Sequence, residues 1–264
     1  MQQTPPEVIT ANIAFIVLWA LIVAVTWLVG QHFERMRAFR ERMIAQWKPA
    51  LAIMLIFLTS NVLSGRSVFN IFGLAIFFQA LIGLALARGM GGGEPLKTTQ
   101  SILRRERVMR AFVLFIVIGI LAGLTGFLIG SFGLGIAQSI FHETNRTREA
   151  MQSFSIDKAQ AFFQFLWGAG IAEETTYRLV ALSFVWMVSG KRWFAIVVSA
   201  ILFGAYHLTP LSGNYLTFLK FPLSQFLAST LIGIIWGYVY VKRGYETVVL
   251  SHTMSNWIPM LLFM

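Results

Sequence analysis

Apolar residues run along this chain in eight long stretches, about 9 to 30, 49 to 64, 68 to 87, 111 to 133, 159 to 188, 193 to 209, 224 to 241 and 246 to 263. Short polar segments separate them, and most stretches approach the ~20 residues at which an α-helix crosses the hydrocarbon core of a bilayer. A transmembrane barrel would show segments of about ten residues alternating apolar and polar, and no such alternation occurs. The pattern therefore predicts an all-α, polytopic membrane helical bundle of about eight transmembrane helices. It forms a single integral-membrane domain over residues 1–264, with four spans in 1–137, an outer loop at 138–158, and four further spans in 159–264. The second stretch, about sixteen residues before Gly65-Arg66-Ser67, is short enough to be tilted, broken or paired as a hairpin with the third.

The N-terminus, M-Q-Q-T-P-P-E-V-I-T, lacks the basic region of a signal peptide, so the first stretch is read as a span. G-M-G-G-G-E at 89 to 94 reads as a flexible linker, and I-L-R-R-E-R-V-M-R after it as a basic start to the fourth span at the membrane surface. Within that span Gly119, Gly123, Gly126, Gly130 and Gly133 recur every three or four residues, a spacing that lets helix backbones approach closely.

Composition fits this picture: 57% of residues are hydrophobic and 12% charged, and the mean hydropathy is +0.71, well outside the range of soluble domains. The absence of cysteine excludes disulfides, thiolate catalysis and thiolate-ligated metals. The net charge of +10 is explained by where the cations fall rather than by nucleic acid as a partner. Fifteen of the 21 Lys and Arg lie in 31 to 48, 88 to 110, Lys191-Arg192 and Lys242-Arg243, and five in the intervening connections. The positive-inside rule then puts the basic loops in the cytoplasm and both termini outside.

Of eleven acidic residues only Glu173 and Glu174 fall deep within a span, where each ionised group costs about 2.5 to 3.5 kcal/mol on insertion scales. His207 and His252 also lie within spans. Glu173 lies about seventeen residues before the turn at Gly190 and His207 about sixteen after it, so an antiparallel hairpin brings them to one depth. His252, about eight residues past Arg243-Gly244, would be shallower by roughly 12 Å at the α-helical rise. Spacing of four residues stacks Glu174 with Arg178, Phe203 with His207, and His252 with Asn256 on single helix faces. Arg178 neutralises Glu174, and Glu173, about 100° around the helix, is left for another task.

A carboxylate facing imidazoles beside an amide suits activation of water. Glu173 would act as general base, His207 would hold the water, and His252 with Asn256 would stabilise a developing oxyanion. Each residue also has a plainer reading: Glu174 with Arg178 as a buried structural ion pair, Phe203 as helix packing, and Asn256 or either histidine as interhelical hydrogen-bonding groups. The joint occurrence favours hydrolysis.

E-E-T-T-Y-R, F-G-A-Y-H and H-T-M-S-N, in this order on three late helices, resemble the E-E-x-x-x-R, F-x-x-x-H and H-x-x-x-N/D motifs of the CPBP family, also called the Abi or CAAX-protease family. The resemblance covers residues 159–264 and implies an Rce1-like intramembrane endopeptidase. It assigns Glu173 to the water, Glu174 and Arg178 to a supporting pair, His207 to the water's partner, and His252 and Asn256 to the oxyanion. Phe203 would shape the pocket, and Tyr177 stands where many relatives have an aromatic residue. The substrate would be a membrane-associated protein or peptide, prenylated in eukaryotic relatives; in a prokaryotic cell membrane, peptides or precursor proteins fit better.

No cofactor is expected. The alternative is zinc held by Glu173, His207 and His252, although H-E-x-x-H is lacking. Two other classes use the same buried polar cluster: a proton-coupled transporter, and a non-catalytic membrane scaffold or immunity factor. A transporter predicts a polar path across the membrane, and the first four spans offer little beyond Asn12, Asn61, Asn70 and Gln79.

Overall fold

The computed structural model describes residues 6–67, 70–89, 94–143, 157–209 and 223–263. Every regular element among them is helical, and helices follow the hydrophobic stretches. α1 (Pro6–Val29), α2 (Glu34–Ala45), α3 (Trp47–Leu63), α4 (Phe72–Gly89) and α5 (Lys97–Leu103) come first. α6 (Val108–Leu128) continues through a wide turn, Ile129–Gly133, into α7 (Leu134–Phe141). α8 (Lys158–Phe165), α9 (Ser183–Ser189), α10 (Arg192–Tyr206), α11 (Leu223–Arg243) and α12 (Tyr245–Phe263) complete the chain. The result is an all-α membrane bundle. α4, α11 and the continuous helix Val108–Phe141 are each long and apolar enough to cross a bilayer. α2 and α3 pass that test jointly but are bent by 52° against each other. α2 is the polar arm of that bend, with Glu34 in its first turn and Arg42 in its last, each favourable to the helix dipole.

The fourth span differs from expectation at both ends. It runs on to Phe141, so the start of the presumed outer loop is helical. Leu134 and Gln138 are buried there, which gives the extension a packed face. Residues 144–156 of that loop, and 90–93 of the G-M-G-G-G-E linker, lie outside the described residues. At the other end the basic stretch is not a smooth helix start: Arg105 and Arg107 take left-handed backbone angles, φ +57° and +47°, and break the chain between α5 and α6.

The long contact of α12 with α6 is the tightest seam. A Cβ on Gly123 would stand 2.5 Å from Met254 Cβ and 2.9 Å from the Ser251 carbonyl, and Gly119 and Gly126 meet Leu250 and Ser255 as closely. These three glycines serve the expected close approach. Gly130 and Gly133 do not: nothing lies within 4 Å of a Cβ at Gly130, and at Gly133 only the Ile129 side chain lies near. Both fall in the wide turn, where the helix has left the seam.

Polar contacts sort into two end layers. At one end Gly89 lies against Arg42 and Met187, Arg88 pairs with Glu94 at 3.0 Å, and Lys97 donates to the carbonyls of Val241 and Lys242. The basic segments counted together in the sequence thus share one face. At the other end Trp167 Nε1 donates to Ser64, the Leu223 amide donates to Glu143, and Trp257 Nε1 donates to the Lys158 carbonyl.

Candidate active site

E-E-T-T-Y-R lies in a helix that is not α-helical throughout. Between α8 and α9, residues Leu166–Glu173 and Thr175–Leu182 form wide turns with bonds from residue i to i+5, a geometry frequent at functional sites. Hydroxyl groups occupy the backbone carbonyls of this stretch. Thr175 and Thr176 donate to Ile171 and Ala172, Ser183 to Arg178 and Ser199 to Tyr177. The Thr175 hydroxyl also meets that of Tyr245 at 2.6 Å. Small residues let neighbours close on the stretch: Gly83 of α4 presses on Leu179, and Gly170 presses on Val249 of α12.

Glu174 is fully buried and forms the centre of the cluster. Its Oε1 accepts from His252 Nδ1 at 2.7 Å and pairs with Arg178 at 3.2 Å. The guanidinium lies 4.4 Å from the centre of the Phe203 ring and 5.6 Å from that of Trp236, and donates to the Gly233 carbonyl. Such faces of negative potential suit a cation withdrawn from water. Phe203 stands edge-on to both His207 and His252, with centroids 4.8 and 5.7 Å away. Tyr177 packs against Phe203 and Tyr206. Glu173, its side chain 22% exposed, is the more accessible carboxylate, with Oε2 3.8 Å from His252 Nε2.

Hydrogen-bond chemistry fixes which ring nitrogens are occupied. A carbonyl only accepts, so His207 Nδ1, 2.9 Å from the Phe203 carbonyl, carries a proton and leaves Nε2 as the outward atom. In the same way His252 Nδ1 donates to Glu174 Oε1, and its Nε2 is the atom directed to Glu173.

The structure brings Glu173, Glu174, Arg178, Tyr177, Phe203, His207 and His252 into one cluster. The 12 Å depth mismatch expected for His252 is absorbed. The wide turns of Thr175–Leu182 fit more residues into a given length, which brings the glutamates nearer the Gly190 end and accounts for part of the difference. One pairing was not anticipated. His252 is joined to Glu174 across the helices, while Asn256, at i+4 on its own helix, is half-buried. Its neighbour Trp257 is fixed to the start of α8. Glu174 accordingly holds a histidine as well as Arg178, and is more than one half of an ion pair.

Trp236 of α11 was not anticipated. It is buried with its ring centre 4.1 Å from that of His252, and its Nε1 has no partner among the described residues. The available signal was its place: tryptophan favours the membrane interface, and Trp236 sits well inside its span.

Among the described residues no group of three or more His, Asp or Glu side chains stands in metal-holding geometry, and the steps proposed below use side chains alone. A family model described as Rce1-like, type II CAAX prenyl endopeptidase, matches residues 156–258. No curated protein and no solved structure matches the chain.

Proposed function

We propose, from the premise that the chain belongs through residues 156–258 to the Rce1-like family of CAAX endopeptidases, that it cleaves a membrane-associated protein or peptide with water activated by Glu173. The observation that supports this reading is the 3.8 Å between Glu173 Oε2 and His252 Nε2 while Glu174 holds the opposite nitrogen of the same ring. A polar pair at that separation is within reach of one bridging oxygen.

In the reaction Glu173 removes a proton from water, whose other hydrogen is directed to His207 Nε2. The hydroxide attacks the scissile carbonyl carbon. His252, protonated on both nitrogens, donates through Nε2 to the developing oxyanion, assisted by the Asn256 amide. As the carbon–nitrogen bond breaks, Glu173 returns its proton to the leaving amine. Glu174 and Arg178 position His252 and do not touch substrate.

A fully hydrogen-bonded helix cannot offer its carbonyl to attack, so the substrate enters with an unwound segment, laterally or from the basic face, which we place in the cytoplasm. The test uses reconstituted protein and its Glu173→Gln variant, with membrane-anchored peptides bearing or lacking a prenyl group, with and without a strong chelator. The expected result is chelator-insensitive cleavage that falls by a factor on the order of 10² to 10⁴ in the variant. Cleavage by the variant within tenfold of the parent refutes the assignment. Loss on chelation with rescue by zinc refutes the metal-free route.

A further inference from the structure

A cavity of about 240 Å³ opens at the basic end of the bundle, between the α5–α6 turn and the turn joining α11 to α12. Five cations line it: Lys97, Arg107, Arg110, Lys242 and Arg243. No carboxylate lines it, and the ion pairs among the described residues lie elsewhere. Two acids stand near it: Glu106 precedes Arg107 in the α5–α6 turn, and Glu246 has its Oε1 engaged by the Thr99 amide. Burial together with Arg243 and Lys242 holds Lys97 below the ordinary lysine value. Like charges so gathered repel one another unless an anion joins them.

The cavity is built rather than incidental. The Pro95 carbonyl accepts from the Tyr245 amide at 2.8 Å, and Lys97 Nζ is fixed 3.1 Å from the carbonyls of both Val241 and Lys242. Two segments about 145 residues apart in sequence are thereby clamped as opposite walls. Thr98 and Ser101 supply hydroxyls, and Leu114 and Phe115 form an apolar wall descending along α6. Beside it Leu103 and Met109 are 76% and 75% exposed, as a surface facing acyl chains would be. The occupant must therefore carry an anionic head and an apolar body.

We propose that this cavity binds the phosphate headgroup of an anionic glycerophospholipid, with the acyl chains lying along α6. A phosphodiester accepts from several guanidinium and ammonium donors at once. Free phosphate shares the head chemistry but has nothing to place on Leu114 and Phe115.

The test titrates the full chain in neutral detergent with phosphatidylglycerol, phosphatidylcholine or inorganic phosphate. Bound lipid is counted by native mass spectrometry on the folded species, and Tm is followed in parallel. One saturable phosphatidylglycerol per chain is expected, with a rise in Tm that neither phosphatidylcholine nor phosphate produces. Arg110→Gln with Arg243→Gln should weaken it roughly thirtyfold, whereas the Lys pair at the same positions should stay near the parent. Arg104→Gln with Arg105→Gln, outside the cavity, should change little. Equal retention of phosphatidylcholine, or unchanged affinity in the Gln pair, overturns the site. An equal rise with phosphate alone overturns the lipid as its occupant. Because mass spectrometry reads only folded chains, a less stable variant still reports an affinity.

Discussion

Glu174 and Arg178 offer a direct measure of how much the fold depends on the centre of the site. Both side chains are wholly buried and their charged atoms stand 3.2 Å apart. At an effective dielectric of ~20, unit charges at that distance attract by about 5 kcal/mol. Replacing one partner alone leaves the other charged and without its counterion, at a typical cost of about 3 to 5 kcal/mol. In Glu174→Gln the amide oxygen still accepts from His252 but the guanidinium is left uncompensated. In Arg178→Met the carboxylate keeps His252 as its donor, so that variant is the milder. Removing both charges removes the penalty, and the double variant should be more stable than the sum of the singles predicts by about 2 to 4 kcal/mol. Reversible unfolding in mixed micelles, run on the four proteins of the cycle, gives the coupling directly. Additivity within about 0.5 kcal/mol would show that the two groups do not act as a buried pair.

Other expectations follow from the seam and the basic face. Gly123→Val should cost about 1 to 3 kcal/mol by overpacking against Met254 and Ser251, and should lower peptide cleavage because α12 carries His252. Gly130→Ala, with open space around it, should leave both within error, and matched losses in the two variants would contradict the close approach. Lys97, held below the ordinary lysine value, binds its proton less tightly in the folded chain than in the unfolded one. Folded stability linked to it therefore rises with pH from its lowered value up to the ordinary one and is flat below. Lys97→Met should remove that alkaline increment, and an unchanged difference between the two unfolding profiles across pH would refute it.

Much of the bundle was legible because periodicity and charge report on lipid directly: a residue facing hydrocarbon must be apolar, and a cation without a buried partner must lie near an end. The pairing of Glu174 with Arg178 was legible for a related reason, since spacing along one helix fixes which side chains are neighbours. Contacts between helices were harder. His252 reaches Glu174 across helices where the glutamate helix is wound wider than an α-helix, and i+4 arithmetic with α-helical rise carries no sign of either. The same arithmetic put Asn256 on the face of His252, but it carried no sign that the partner of His252 Nδ1 would be Glu174 on another helix. Gly119, Gly123 and Gly126 read correctly as a seam, while Gly130 and Gly133 continued the spacing past the point where the helix changes its winding. Trp236 belongs to a helix without a motif, so only its depth distinguished it.

The winding between Leu166 and Leu182 also bears on what kinds of inherited change this chain can absorb. A bond from i to i+5 encloses one residue more than the usual turn, and deleting a single codon here with that winding kept would remove one residue's share of rotation. Everything on one side of the deletion would swing by up to about 100° relative to the other. The glutamates would be carried off His252 even though every motif letter survived. For this stretch the number of residues is under the same constraint as their identity, and shortened sequences that keep E-E-T-T-Y-R intact should be inactive.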